Sequence, residues 1–271
     1  MTSHSDKVEA FRTLHAEGCF VLPNPWDVGS AVLLEHLGFK ALATTSAGFA
    51  WSLGRPDQGV ERAEVLEHLR QIASAVEVPV SADFEGGYAS DPEGVAESVA
   101  LAAATGIAGL SIEDSTRGSD EPLYPFDLAV ERVRAARRAI DESGTDIVLT
   151  GRSEGFVVGR PDLDETIRRL QAYADAGADC LYAPFIDKSE QVSAIVSAVA
   201  PKPVNLLVYK PFITVADAEA LGVRRISLGA ALARVALAAF MAAAQEIADH
   251  GTFARLADLP HNAAANEIFA R

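Results

Sequence analysis

Two stretches, ATGIAGLSI at 104–112 and DAGADCLYA at 175–183, repeat one local pattern. In each, helix-prone sequence ends at a glycine, Gly106 or Gly177, and an apolar run follows, as expected where a helix turns into a buried strand. EVPVSA (77–82) and APKPVNL (200–206) place a proline directly before such a run, where its missing N–H is tolerated. The pattern predicts buried strands that alternate with helices, which is typical of parallel β/α units.

Working outward from these stretches, the whole chain follows the same alternation. Eight strands are predicted at 19–23, 40–44, 79–83, 109–114, 147–152, 180–184, 203–207 and 225–229. Helices are predicted at 28–37, 61–76, 92–105, 127–143, 163–176, 188–198 and 214–221. Eight strands and the lack of a glycine-rich dinucleotide turn favour an α/β fold of the closed (β/α)₈ or TIM-barrel type over an open doubly wound sheet, with residues 1–271 forming one domain.

Composition excludes several classes of partner. The chain has 23 Lys and Arg against 38 Asp and Glu, a net charge of −15, which repels nucleic acid and anionic membrane surfaces. We expect a cytoplasmic protein, because the sequence begins without a signal-like segment and no apolar run reaches the roughly 18 residues of a membrane span. The two cysteines, Cys19 and Cys180, lie in predicted strands and are expected to be buried thiols.

The C-terminal segment 230–271 adds helices beyond the barrel. Residues 230–249, AALARVALAAFMAAAQEIAD, are unusually rich in alanine. Small side chains permit close helix packing, so this segment is consistent with a subunit interface. An ordinary helix that covers the barrel explains the composition equally well.

Catalytic residues of such barrels lie where the strands end, and here those positions are acidic. Asp83 and Glu85 follow the third strand and precede Gly86-Gly87, and Glu113 ends the fourth strand. Mg²⁺ binds one or two carboxylates and keeps several waters, so this group predicts a Mg²⁺ site, with Mn²⁺ as an alternative. Helix capping or pairing with Arg152 is the structural alternative for these acids.

The other polar residues at the strand ends predict an anion site. Arg152 is a candidate for the substrate carboxylate, because its planar fork donates two parallel hydrogen bonds. A buried ion pair of Arg152 with Glu154 or Glu113 is the alternative. Ser46-Ala47-Gly48, interpreted as a turn, supplies a hydroxyl and backbone N–H groups. No histidine falls at a strand end, which leaves two tyrosines as the candidates for proton transfer, Tyr88 and Tyr182.

SADFEGGYA (81–89), SIEDS (111–115), TGRSEGF (150–156), TTSAG (44–48), LGRPD (53–57) and PVNLL (203–207) resemble, in this order and spacing, the isocitrate lyase and phosphoenolpyruvate mutase superfamily. The resemblance implies Mg²⁺ bound mostly through waters by Asp83, Glu85 and Glu113. It implies substrate contacts with Ser46, Ala47, Gly48, Asp83, Arg152 and Asn205. It also assigns Arg152, Glu113 and Asp57 to catalysis, and it implies dimers or tetramers that exchange a C-terminal helix.

The chain departs from this family in the loop after the fourth strand. The lyases carry a catalytic cysteine there and the mutases a lysine and an asparagine, whereas this loop reads STRGSDEPLYPF (115–126). Pro184 stands near the position at which many relatives of this family have a Glu or His that contacts the substrate. We therefore predict a lyase that cleaves a C–C bond of a small 2-oxo or 2-hydroxy (di)carboxylate through an enolate-like species, such as oxaloacetate decarboxylase. A phosphonomutase or carboxyvinyl-phosphonate phosphorylmutase and a catalytically inactive 2-oxo acid binding protein are the alternatives.

Overall fold

The computed structural model describes residues 2–116, 120–257 and 262–270. The strands, β1 to β8 in chain order, are Phe20–Leu22, Leu42–Ala43, Val80–Asp83, Gly109–Glu113, Val148–Arg152, Cys180–Tyr182, Val204–Leu207 and Arg225–Ser227. The helices, α1 to α11, are His4–Ala16, Val28–His36, Ser46–Ser52, Arg62–Ala75, Pro92–Ala103, Phe126–Ser143, Leu163–Asp175, Ser189–Val199, Val215–Ala220, Ala231–His250 and Asn262–Phe269.

The eight strands are parallel and form a nearly closed barrel. Their order is β1-β8-β7-β6-β5-β4-β3-β2. The remaining gap between β1 and β2 is bridged by the N–H of Ala43, which donates to the carbonyl of Pro23 at 3.0 Å. The predicted (β/α)₈ fold and all eight strands are confirmed, because buried apolar runs and the glycines that follow the helices specify them locally. Gly106 and Gly177 adopt φ values of +90° and +105°, which disfavour a side chain.

Helix α1 covers the end of the barrel at which the strands begin. Lys7 Nζ donates to the carbonyls of Ala73 and Val76, and a ring nitrogen of His4 lies 2.8 Å from the carbonyl oxygen of Ile107. Phe11 is fully buried and lies so close to Gly109 that a Cβ there would stand 2.8 Å from its ring. Because α1 closes this end, ligands reach the interior from the opposite end, where the strands terminate.

One sequence prediction about the helices needs correction. Residues 46–48 begin helix α3, with Thr45 as its N-cap, rather than forming a turn. Helix α10 has the length and the mean hydropathy, 1.4, of a membrane-spanning helix, although no uninterrupted apolar run is that long. Arg234 and Glu246 interrupt this 18-residue window, so the sequence prediction that no apolar run is long enough to span a membrane is not overturned. Only 6% of that window is buried, so this chain leaves most of the helix uncovered.

Candidate active site

A cavity of about 240 Å³ opens where the strands end. All eight strands, or the loops that follow them, contribute polar groups to it. These groups are Asn24, Thr44, Thr45, Ser46, Asp57, Ser81, Asp83, Ser111, Arg152, Tyr182, Asn205, Arg225 and Ser227. Such a concave, polar and largely preformed cavity at the carboxyl face of the barrel is the expected place for a small ligand.

One row of paired residues crosses the inner face of the barrel. Glu113 pairs with Arg152, Arg152 with Tyr182, Tyr182 with Asn205, and Asn205 with Arg225. Side chains of laterally paired residues point to the same face of a sheet. The row therefore runs from the end of β4 to the beginning of β8, which takes it from the open end of the barrel towards its closed end.

Arg152 is surrounded by acids. Its Nε donates to Glu154 Oε1 at 2.5 Å, and its Nη1 lies 3.2 Å from Asp83 Oδ1 and 3.3 Å from Glu113 Oε2. Burial raises the pKa of Glu113, Arg152 opposes this rise, and Glu154 adds to it. Burial alone would lower the pKa of Arg152, but the carboxylates of Glu154 and Glu113 hold it well above its ordinary value. The ion pair that the sequence left as an alternative is therefore present.

Asp83 is held by the start of helix α3. Its Oδ2 accepts hydrogen bonds from both the backbone N–H and the hydroxyl of Ser46, each at 2.9 Å. Ser46 and Ala47 line the cavity. Gly48 is buried behind them, where its N–H donates to Thr45 Oγ1 at 3.3 Å and a Cβ would meet Thr45 at 2.6 Å. Gly48 is not among the residues that line the cavity, so its predicted contact with substrate stays a prediction.

Glu85 and Asp57 flank this group. Glu85 has a φ of +51°, accepts a hydrogen bond from Tyr88 at 2.8 Å, and lines a small second cavity together with Asp83. Asp57 is exposed at the rim of the main cavity. Its carboxylate accepts the N–H of Gln58 at 2.9 Å. Glu85 therefore shares the small cavity with Asp83, and Asp57 shares the main cavity with it. Metal contact and catalysis by these two acids stay predictions.

The acidic group suits a hydrated cation. Within the described ranges, no three His, Cys, Asp or Glu side chains are close enough to ligate one ion together. Asp83, Glu113 and Glu154 nevertheless share a single guanidinium, so carboxyl groups outnumber cationic groups here. Mg²⁺ needs only one or two protein carboxylates and retains several waters, and this donor set meets that requirement. The predicted ligands Asp83, Glu85 and Glu113 therefore remain a prediction.

Proton-transfer groups near the cavity are few. Tyr182 lines the wall, 5.2 Å from the Arg152 guanidinium to its ring centroid, and burial raises its pKa to about 12. Neither cysteine is among the residues that line the cavity. Both are free thiols. Cys180 is buried as predicted, whereas the prediction for Cys19 was wrong, because Cys19 lies just before β1 and is only half-buried. The Ser-, Gly- and Asp-containing sequence of the loop 115–126 is typical of either a mobile lid or a solvated turn. The loop folds back through an antiparallel bridge between Ser115 and Leu123, but residues 117–119 lie outside the described residues.

Sequence reasoning missed Arg225, which begins β8 and lines the cavity beside the predicted ligand Asn205. Its Nε donates to Asn205 Oδ1 at 2.8 Å. In RRISLG (224–229) the alternation of the strand could have indicated that Arg225 and Ser227 share the inner face. The signal was weak because arginines at the start of a strand commonly face solvent.

The chain is similar to known proteins in sequence and in overall fold. The sequence profile of the family described as phosphoenolpyruvate phosphomutase matches residues 11–248. A solved structure from Burkholderia cenocepacia J2315, described as a candidate lyase/mutase, is 46% identical with a TM-score of 0.95 and covers 99% of this chain and 98% of its own.

Two curated relatives add to the picture. A Mycobacterium tuberculosis H37Rv protein described as uncharacterized is 34% identical over 89% of both chains. The oxaloacetate decarboxylase of Bradyrhizobium sp. ORS 278 is 32% identical over 70% of this chain and 67% of its own. Other similar proteins are named 2-methylisocitrate lyase, oxaloacetate acetylhydrolase and phosphoenolpyruvate phosphomutase.

Proposed function

Since this chain belongs to the phosphoenolpyruvate mutase and isocitrate lyase superfamily, we propose that it is a Mg²⁺-dependent carbon–carbon lyase of small 2-oxo or 2-hydroxy (di)carboxylates. Decarboxylation of oxaloacetate is the reaction that we expect. The observation that carries this proposal is the cavity itself, which combines Asp83, Arg152 and Ser46 but includes neither cysteine.

The missing cysteine favours decarboxylation over the other lyase reactions. In oxaloacetate, the C3–C4 bond breaks, CO₂ leaves, and the electron pair moves to C3 as the enolate of pyruvate. Water then protonates C3, so the protein need not supply an acid. The cleavage of larger substrates by the cysteine-containing lyases requires such a group, and the described part of the cavity wall offers only Tyr182 as a hydroxyl of that kind.

Asp83, Glu85 and Glu113 would hold Mg²⁺, largely through waters, with Asp57 beyond them. When bound, the ion supplies Lewis-acid stabilisation for negative charge that develops on the 2-oxo oxygen. Ser46 fixes Asp83 through two hydrogen bonds, which keeps that carboxylate in one orientation before substrate arrives. Arg152 and Glu113 contribute to catalysis by setting the charge around the reacting carboxylate.

The substrate carboxylate would meet Arg152, Ser46 and the N–H groups of Ala47 and Gly48, and Asn205 would bind from the opposite wall. Arg152 is already engaged by three acids, so a carboxylate must compete with them unless the cation takes up part of their charge. This requirement couples anion binding to metal binding. It predicts that the affinity for 2-oxo acids depends on Mg²⁺.

The chain would act as a soluble cytoplasmic homodimer or homotetramer, with residues 1–271 as a single barrel domain and segment 230–271 in the subunit interface. Support comes from α10, whose large apolar side chains are uncovered; Phe240 is 71% and Met241 66% exposed. Burying such a patch against a second copy removes apolar area from water. Exchange of this helix between subunits is part of the same proposal.

Thermal stability measured with a panel of 2-oxo acids and dicarboxylates, each with Mg²⁺ and with excess chelator, tests the proposal. A ligand that binds only the folded state raises the melting temperature by mass action. We expect shifts that need both metal and oxo acid. No shift with any acid in Mg²⁺ contradicts the proposal.

The phosphonomutase alternative is favoured by the names of several similar structures, one of which is phosphoenolpyruvate phosphomutase. Phosphorus NMR of the protein mixed with phosphoenolpyruvate tests this alternative, because the phosphonomutase reaction forms a P–C bond. A spectrum without a P–C product contradicts the alternative. Tight oxo-acid binding without turnover above that of free Mg²⁺ would instead identify a binding protein.

A further inference from the structure

Two arginines line the main cavity, and their surroundings differ in charge. Arg152 contacts three carboxylates. Arg225 is 4% exposed, and among the described residues no carboxylate lies within 4 Å of its guanidinium. Buried charges in proteins are ordinarily paired with an opposite charge. Arg225 is therefore a buried cation for which the described residues supply no neighbouring carboxylate.

The contacts of Arg225 are all with neutral groups. Its Nε donates to Asn205 Oδ1 at 2.8 Å, and its Nη2 donates to Thr150 Oγ1 at 3.0 Å. Its Nη1 lies 3.2 Å from His15 Nε2. A guanidinium has five N–H donors, and these contacts use three of them. Two N–H donors remain for a ligand.

His15 adds no charge at this end of the cavity. Its Nδ1 lies 2.7 Å from the carbonyl oxygen of Phe11, which can only accept, so Nδ1 carries the proton. Nε2 is then the acceptor for Arg225, and the imidazole is neutral. Burial, with the positive charge of Arg225, lowers the pKa of His15 to about 3, so it stays neutral at physiological pH.

Arg225 also fixes the orientation of Asn205. Because a guanidinium cannot accept a hydrogen bond, Asn205 must turn Oδ1 towards it. The amide nitrogen of Asn205 then faces Ser227, to whose Oγ it donates at 2.9 Å. The cavity floor thus presents N–H and O–H donors around one positive charge, whereas the opposite end carries the acids that suit a cation.

We propose that Arg225, together with Asn205 and Ser227, forms an anion subsite at the cavity floor that binds the second carboxylate of a dicarboxylate substrate. This inference rests on the proposed function for the position of the first carboxylate and of the metal at the acidic end. It narrows the substrate class to dicarboxylates whose two ends meet opposite ends of the cavity. In oxaloacetate the carboxylate at this subsite is C4, which leaves as CO₂, so the subsite contributes to substrate binding and not to the cleavage step. The alternative is a purely structural role, in which the hydrogen bonds of Arg225 only connect β8 to β5, β7 and α1.

The test compares two four-carbon 2-hydroxy acids that differ at the distal carbon, L-malate with a carboxylate and 2-hydroxybutyrate with a methyl group. Their dissociation constants are measured by calorimetry with saturating Mg²⁺, for the wild-type chain and for Arg225→Gln, Arg225→Lys and Thr150→Val. Thr150→Val removes one hydrogen bond of Arg225 and no charge. Circular dichroism and melting temperature report whether each variant folds.

We expect the wild-type protein to bind malate about 10- to 100-fold more tightly than 2-hydroxybutyrate, as charge-assisted hydrogen bonds to a desolvated carboxylate imply. Arg225→Gln should lose that preference while its affinity for 2-hydroxybutyrate stays within about threefold. Arg225→Lys should retain part of the preference and Thr150→Val nearly all of it.

Equal affinities of the wild-type protein for the two acids, or no binding of malate, overturn the subsite, and this result does not depend on any variant folding. Equal losses of both affinities in a folded Arg225→Gln protein overturn it as well and show a purely structural role. Oxaloacetate turnover is measured separately. If the protein turns over oxaloacetate but does not prefer malate to 2-hydroxybutyrate, only the subsite is contradicted. If it prefers malate but does not turn over oxaloacetate, only the proposed lyase reaction is contradicted.

Discussion

Nη1 of Arg152 lies 3.2 Å from Oδ1 of Asp83, so the side chain predicted to bind the substrate carboxylate is joined to an acid predicted to bind the metal. The two predicted sites are therefore one electrostatic unit. A change at either residue should alter both ligand affinities, which separate sites would not show.

The first prediction concerns Arg152→Lys. Lysine keeps the positive charge but not the planar fork that reaches Asp83 and Glu154 together. We expect kcat/KM to fall about 10- to 100-fold and the Mg²⁺ affinity to change with it. Steady-state kinetics and metal titration measure the two effects. The matched control is Arg137→Lys, because Arg137 pairs with Asp179 outside the cavity. An equal effect of the two substitutions would contradict the role of Arg152.

The second prediction concerns the proton donor. Burial raises the pKa of Tyr182 to about 12, so its hydroxyl stays protonated throughout the useful pH range. If water protonates the enolate, Tyr182→Phe should reduce kcat less than about tenfold. The wild-type protein and Tyr182→Phe should therefore show the same pH dependence of activity between pH 8 and pH 10. A loss of about 1,000-fold or more would identify Tyr182 as the general acid and contradict water in that role.

The third prediction concerns stability in acid. The pKa values of His15 and His68 are lowered from 6.5 to about 3 and about 4, in both cases chiefly by burial. As pH falls below 6.5, the unfolded chain binds protons that the folded chain does not yet bind, so these histidines lower the stability. The loss should accumulate from pH 6.5 down to about 4 for His68 and about 3 for His15.

Denaturant unfolding at several pH values measures this effect. In His15→Gln and His68→Gln, which cannot titrate, the fall of stability between pH 6.5 and 4 should be shallower than in the wild-type chain. His36→Gln, on the outer surface of α2, is the control. Identical pH profiles of all four proteins would contradict the assignment.

The fourth prediction concerns assembly. Phe240→Glu places a charge on the uncovered apolar face of α10 and should convert the oligomer to monomers in sedimentation velocity runs. Leu101→Glu, on the outer surface of α5 with 40% exposure, should leave the oligomer intact. A wild-type chain that sediments as a monomer would contradict the proposed interface.

The fold could be predicted almost completely because its signals are local. Glycines such as Gly106 and Gly177 mark the turns into strands, and the apolar runs that follow specify burial. Helix α3 was missed because seven residues that begin Ser-Ala-Gly carry no helical periodicity.

Several residues that line the candidate site could be predicted, among them Asp83, Arg152 and Asn205, but Arg225 could not. Asp83, Glu85 and Glu113 stand at strand ends, where their type and position both indicate function. Arg225 stands at the beginning of a strand, and its importance arises from neutral partners on β5, β7 and α1 that no sequence spacing reveals. Whether Arg152 is free or paired also depends on side-chain geometry across three strands.

The central claim is tested most directly by pyruvate formation from oxaloacetate, measured continuously with the wild-type protein and with Asp83→Asn. Asp146→Asn, a surface acid paired with Arg12, serves as the control. We predict turnover well above that of free Mg²⁺, its loss with chelator, a fall of about 100-fold or more in Asp83→Asn, and no change in Asp146→Asn. A wild-type rate equal to that of Mg²⁺ alone would contradict the claim that this cavity decarboxylates oxaloacetate.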